Sequence, residues 1–106
     1  MSEDDRELLV LAAGLAEVHE GFINEYGGGK LFCWNPLLDD GDALRLAMKL
    51  SISIDVNGIF VHADCRHCAN DVGYFEENSA RNGGCISTAT RRAIVRAAAG
   101  IAEATA

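Results

Sequence analysis

The stretch from Ser51 to Asp64, "SISIDVNGIFVHAD", decides the fold. Ile52, Ile54 and Val56 alternate strictly with polar residues and run into Asn57-Gly58, a pair favoured in two-residue hairpin turns because both residues tolerate positive φ. Such a turn pairs Val56 with Ile59 and Ile54 with Val61, so one face of the hairpin is apolar. The other face carries Ser53 beside His62 and Asp55 beside Phe60, a semi-polar surface suited to partial contact with water.

Immediately upstream lies "WNPLLDDGDALRLAMKL", Trp34 to Leu50, which holds the only tryptophan and the only proline. Pro36 fixes its own φ and biases Asn35 towards extended backbone, turning the chain. Asp39 or Asp40 then caps a helix, with the remaining acids in its first turn, where free N–H groups and the helix dipole favour them. Leu44, Ala47 and Met48 form its expected apolar stripe, and Arg45 and Lys49 share its exposed side. Further back, "FINEY" and "KLFCW" flank Gly27 to Gly29, which predicts a second hairpin. From Asp4 to His19, Leu8, Leu11, Ala12 and Leu15 recur at helical spacing behind Ser2 as N-cap, with Gly21 as the stop.

Downstream of Asp64 a polar connection holds Cys65, His67 and Cys68, with a further strand expected around "VGYFE". The last segment, "STATRRAIVRAAAGIAEATA", predicts a helix with Ser87, Thr88 or Thr90 as cap and Ala93, Ile94, Ala97, Ala98 and Ile101 on one side. The expected fold is therefore α+β: about four mainly antiparallel strands with three packed helices, in the order α-ββ-α-ββ-α.

At 106 residues the chain is read as a single domain. Folding then buries roughly two-thirds of the unfolded surface, and neither metal nor disulfide is needed for it. Hydrophobic residues make up 49% and charged residues 24%, a globular composition without linkers or repeats. The acidic start "MSEDDRELL" is unlike a secretory signal, and no apolar run reaches the ~18 residues of a membrane span, so the expected location is the cytoplasm. The formal charge of −7 disfavours nonspecific nucleic-acid binding and favours a basic partner surface.

Two segments, "WNPLLDDGDALRLAMKL" and "ATRRAIVRAAAGI", resemble signature segments of small tailed-phage accessory proteins of the phage alpha-beta-alpha sandwich type. The resemblance implies a phage origin, and hence the cytoplasm of a host cell, together with a layered fold. It brings no catalytic residues with it.

Cys65 and Cys68 form a C-x-x-C unit that, with His67 and Cys85, offers a tetrahedral ligand set for zinc, but the second close pair of a zinc ribbon is missing. Cys33 is expected as a small core residue in a strand. Cys65 with His62 or His67 and Asp64 meets the inventory of a nucleophilic site, although partners crowded within six positions are unlike the separate segments that catalysis usually unites. P-loop, dinucleotide-binding, H-E-x-x-H and nucleophile-elbow motifs are missing from the sequence. Arg91, Arg92 and Arg96 near a helix start suit a phosphate or carboxylate. Acids outside the caps, among them Asp64, Asp71, Glu76 and Glu77, with Trp34 as an apolar anchor, are the candidate partner-binding residues. The function expected is thus non-enzymatic: binding of a host protein, such as a nucleic-acid-binding defence complex inhibited in the manner of an anti-CRISPR. The alternative is a small-ligand or zinc-binding module built on Cys65 and Cys68.

Overall fold

The structure, a computed structural model, describes residues 2–65 and 75–105. Helix α1 spans Glu3–Ala16 and α2 spans Asp40–Leu50; strands β1 (Ile52–Asn57), β2 (Phe60–Cys65) and β3 (Phe75–Asn78) follow, and α3 (Ile86–Thr105) closes the chain. The strands form an antiparallel meander in the order β1-β2-β3, so β1 and β3 are its edges. Helix α3 packs against β2 and β3 and also touches α1 and α2. Its Ala93, Ile94, Ala97, Ala98 and Ile101 are buried as the helical spacing predicts, and the small alanines let the helix approach the sheet closely.

The hairpin around Asn57-Gly58 forms in a register shifted by two residues. Val56 faces Val61, Ile54 faces Ala63, and Asn57 pairs with Phe60 to close the turn. Gly58 supplies the positive φ of 63° at the first central position, as in a type II′ turn, and Ile59 takes the second. The cause lies at the strand's start. Ser51 caps α2 in left-handed backbone (φ 56°), so β1 begins only at Ile52, and using Asn57 as a strand residue restores a sixth pair. Because the shift is even, the two faces keep their composition.

Helix α1 ends earlier than expected. Glu17 adopts left-handed backbone, and the Val18 N–H donates to the Ala13 carbonyl, closing the helix four residues before Gly21. Its buried stripe is Leu9, Ala12 and Ala13, with Leu8 and Leu15 only partly covered. Asp39 is the cap of α2: its carboxylate accepts from the Asp42 N–H at 2.8 Å. The stripe of α2 is Ala43, Leu46 and Ala47, however, and Leu44 and Met48 are exposed, at 55% and 69%. Both sets satisfy helical spacing; packing of α2 against α3, β1 and α1 decides which one faces the core.

The expected hairpin over Phe22 to Trp34 is replaced by an irregular loop. Ile23 and Trp34 make one parallel bridge, and Lys30 to Cys33 a tight turn with Phe32 at a φ of 65°. Side chains take the backbone groups a ladder would have used. Asn24 Oδ1 accepts from the Tyr26 N–H, Asn35 Nδ2 donates to the Asn24 carbonyl, and Asp42 Oδ2 accepts from both Gly29 N–H (3.0 Å) and Asn35 N–H (2.9 Å). Asp42 and Asn35 are buried, and Arg45 meets the other Asp42 oxygen at 2.7 Å. The acids after Trp34 are thus a cap (Asp39), an ion-pair partner (Asp40) and a buried hub (Asp42). The expected four strands reduce to three among the described residues, the third starting at Phe75, close to "VGYFE".

Candidate functional site

Three arginines of α3 reach three different elements. Arg91 donates through Nε to the Leu37 carbonyl (2.8 Å) and pairs with Asp40 of α2 (2.6 Å). Arg92 lies 2.8 Å from Asp5 of α1, a charge contact without hydrogen-bond alignment. Arg96 pairs with Glu77 of β3, and its guanidinium sits 4.7 Å from the centroid of the Phe75 ring. The three therefore tie α3 to its neighbours and do not converge on one anion.

Glu76 and Glu77, adjacent in β3, part to opposite faces of the sheet. Glu77 turns towards α3, is buried, and accepts from Asn82 Nδ2 at 3.1 Å as well as from Arg96. Its burial removes Glu77 from the acids expected to meet a partner. Glu76 turns outward and lies 2.7 Å from His62 Nε2. The outward face of the meander is completed by Ser53 opposite Asp64, Asp55 opposite His62, and Asn57 opposite Phe60. Val61, Ala63, Cys65 and Glu77 occupy the helix-facing side and are buried. The outward face thus presents three acids, Asp55, Asp64 and Glu76, and Asp55 and Asp64 make no ion pair among the described residues.

The wider charge distribution reinforces this polarity. Arg6, Arg45, Lys49, Arg91, Arg92 and Arg96 are all engaged with acids, at Glu25, Asp39 and Asp42, Glu17, Asp40, Asp5 and Glu77 respectively. Lys30 and Arg81 make no ion pair among the described residues, whereas exposed Glu3, Asp4, Glu7, Glu20, Asp55, Asp64 and Glu103 are acids in the same position. Among the described residues, pairing engages most of the basic side chains and leaves exposed acids without such a partner.

Trp34 is half-buried, packed against the core beside Ala16, Val18 and Leu46, so it acts as a core-edge residue. Cys33 lies in the loop rather than in a strand, where Asn24 Nδ2 approaches its sulfur at 3.5 Å. Cys65 is buried on the helix-facing side of β2, with its thiol 3.7 Å from the Leu50 carbonyl. Cys85 is exposed at the N-terminus of α3, where its carbonyl accepts from the Ala89 N–H. The Thr88 hydroxyl, with the backbone groups of Thr88 and Ser87, holds the Cys85 thiol below its ordinary value of 9.0. Neither Cys65 nor Cys85 belongs to a group of three or more metal-ligating side chains among the described residues. His67, Cys68 and Asp71 lie outside those residues.

Asp55 was absent from the expected partner residues, although strand parity places it beside His62 on the outward face. Among the described residues, no helix is long and apolar enough to cross a membrane. Comparison with protein-family models, with curated proteins and with solved structures returns no match.

Proposed function

We propose that this chain is a non-enzymatic phage accessory protein. In this reading it acts in the host cytoplasm by binding the basic surface of a host protein, with the outward sheet face as its contact. The observation that carries the reading is the segregation of charge: the basic side chains of the helices are engaged internally, while Asp55, Asp64 and Glu76 stand together on a sheet face turned away from the helices. The antiparallel register sets these carboxylates on neighbouring strands of one face, which favours electrostatic steering towards a cationic groove. The phage origin is supported by the resemblance of the Trp34–Leu50 and Ala89–Ile101 segments. A nucleic-acid-binding defence complex suits the chemistry because its groove is built to accept regularly spaced negative charge.

The test is affinity capture from bacterial lysate with the wild-type chain and with an Asp55→Asn, Asp64→Asn, Glu76→Gln variant. The expected result is a nucleic-acid-binding protein retained by the wild type at low salt, lost with the variant, and released as the screening length falls below ~10 Å. Capture that is unchanged by the variant and by salt contradicts the reading.

A further inference from the structure

The edge strand β1 lies beside an apolar surface that the electrostatic reading leaves unused. Ile54 and Val56 share the helix-facing side with Val61 and Ala63, yet α3 runs mainly beneath β2 and β3, leaving Ile54 37% and Val56 52% exposed. Leu44 and Ile86, on the flanking helices, line the same shallow groove. At its rim, Asp40 and Arg91 neutralise one another.

The strand's free edge is equally unprotected. The pair Asn57–Phe60 closes a two-residue hairpin, so Ser53, Asp55 and Asn57 direct their backbone groups to β2. Ile52, Ile54 and Val56 direct theirs outward, where no backbone partner is present among the described residues. Six regular residues without proline, lysine or bulge, with Asp55 on the outward face as their one charge, form an edge that natural sheets more often shield.

We propose that this edge pairs with β1 of a second copy of the chain, antiparallel about a two-fold axis at Ile54, joining two three-stranded sheets into one. Only outward-directed residues then exchange backbone hydrogen bonds: Ile54 with its own copy, and Ile52 with Val56. The same register sets Asp55 opposite Ser53 of the second copy. Moving the axis to Asp55 would place two acids directly opposite, and moving it to Ser53 would shorten the ladder. The side chains brought together on the helix-facing side are all apolar, which gives the self-complementary surface that a two-fold contact requires. A second copy is favoured over an unrelated strand because this one register satisfies the hydrogen-bond parity, joins Ile52, Ile54 and Val56 on the helix-facing side and keeps Asp55 away from Asp55 of the other copy.

The test is sedimentation velocity of the full chain over a concentration series. The wild type is expected to dimerise, and the dimer to tighten with added salt as the two net negative charges are screened, opposite to the salt response of the proposed partner contact. Ile54→Lys, with unchanged far-ultraviolet circular dichroism, is expected to remain monomeric. Ser53→Lys, on the outward face and opposite Asp55 of the second copy, is expected to tighten the dimer about tenfold, an increment lost again when Asp55→Ser is added. A wild type that stays monomeric at the highest concentration, a dimer indifferent to Ile54→Lys, or a dimer that Ser53→Lys does not tighten overturns the proposal.

Discussion

Replacing Asp42 with alanine removes the acceptor that organises the loop between α1 and α2. Asp42 is 4% exposed, and its Oδ2 accepts from the backbone N–H of Asn35 and of Gly29. The Asn35 N–H is left buried without a partner, at about 2 kcal/mol. Gly29 lies at the surface, where water can replace the carboxylate, so its bond adds at most about 1 kcal/mol. The Arg45 side chain is 66% exposed, and its ion pair contributes at most about 1 kcal/mol after screening. The expected loss for Asp42→Ala is therefore about 3 kcal/mol, which lowers Tm by about 10–20 °C in a chain of this size. Asp42→Asn keeps a carbonyl oxygen for the two N–H groups and gives up the charge, so it is expected to cost about 1 kcal/mol. Urea titration followed by circular dichroism measures both. An alanine variant within about 0.5 kcal/mol of wild type, or equal losses for Ala and Asn, would refute the assignment of Asp42 as a structural acceptor.

The same hub makes neighbouring glycines unequal. A Cβ on Gly28 would meet Asp42 Oδ2 and come within 2.6 Å of the Asn35 nitrogen, whereas one on Gly27 meets nothing within 4 Å. Gly28→Ala should therefore cost about 2 kcal/mol or more, and Gly27→Ala should be neutral or stabilise by up to about 1 kcal/mol, read from the same titration. Ser51 caps α2 at φ 56° and ψ 44°, so Ser51→Gly is expected to raise stability by about 1 kcal/mol; a lower Tm would show that the left-handed cap is not strained. Alkylation of Cys85 should persist to lower pH than that of an ordinary thiol, and Thr88→Val should move its midpoint upward towards 9.0. Because the folded thiol is the more acidic one, its contribution to stability is full above the unfolded value and disappears as pH falls through the depressed folded value.

Local signals were legible where one segment determines its own geometry. The cap of α2, narrowed to Asp39 or Asp40, the alternation of β1, and the buried side of α3 all follow from spacings within a single element. Long-range choices were not. The hairpin expected between Phe22 and Trp34 lost to side-chain acceptors, one of which, Asp42, arrives from a later helix. On α2, two apolar sets compete at helical spacing, and tertiary packing selects Ala43, Leu46 and Ala47 while leaving Leu44 and Met48 outside. Glu76 and Glu77 look alike as neighbouring acids. Strand parity separates them, and Arg96, nineteen residues later, decides which one is buried. The candidate partner surface was legible in part: the semi-polar face with His62 and Asp55 was expected, but its acid cluster required the pairing of β2 with β3 to bring Glu76 alongside.

The most direct measurement of the proposed acidic contact is the association rate of the chain with its captured partner, followed by stopped flow across a salt series. Wild type and the Asp55→Asn, Asp64→Asn, Glu76→Gln variant are compared. For the wild type, the rate is predicted to fall at least tenfold from low to high ionic strength and to converge on that of the variant, whose own salt dependence is shallow. A wild-type rate that is flat with salt, or a variant that associates as fast as the wild type at low salt, would contradict it.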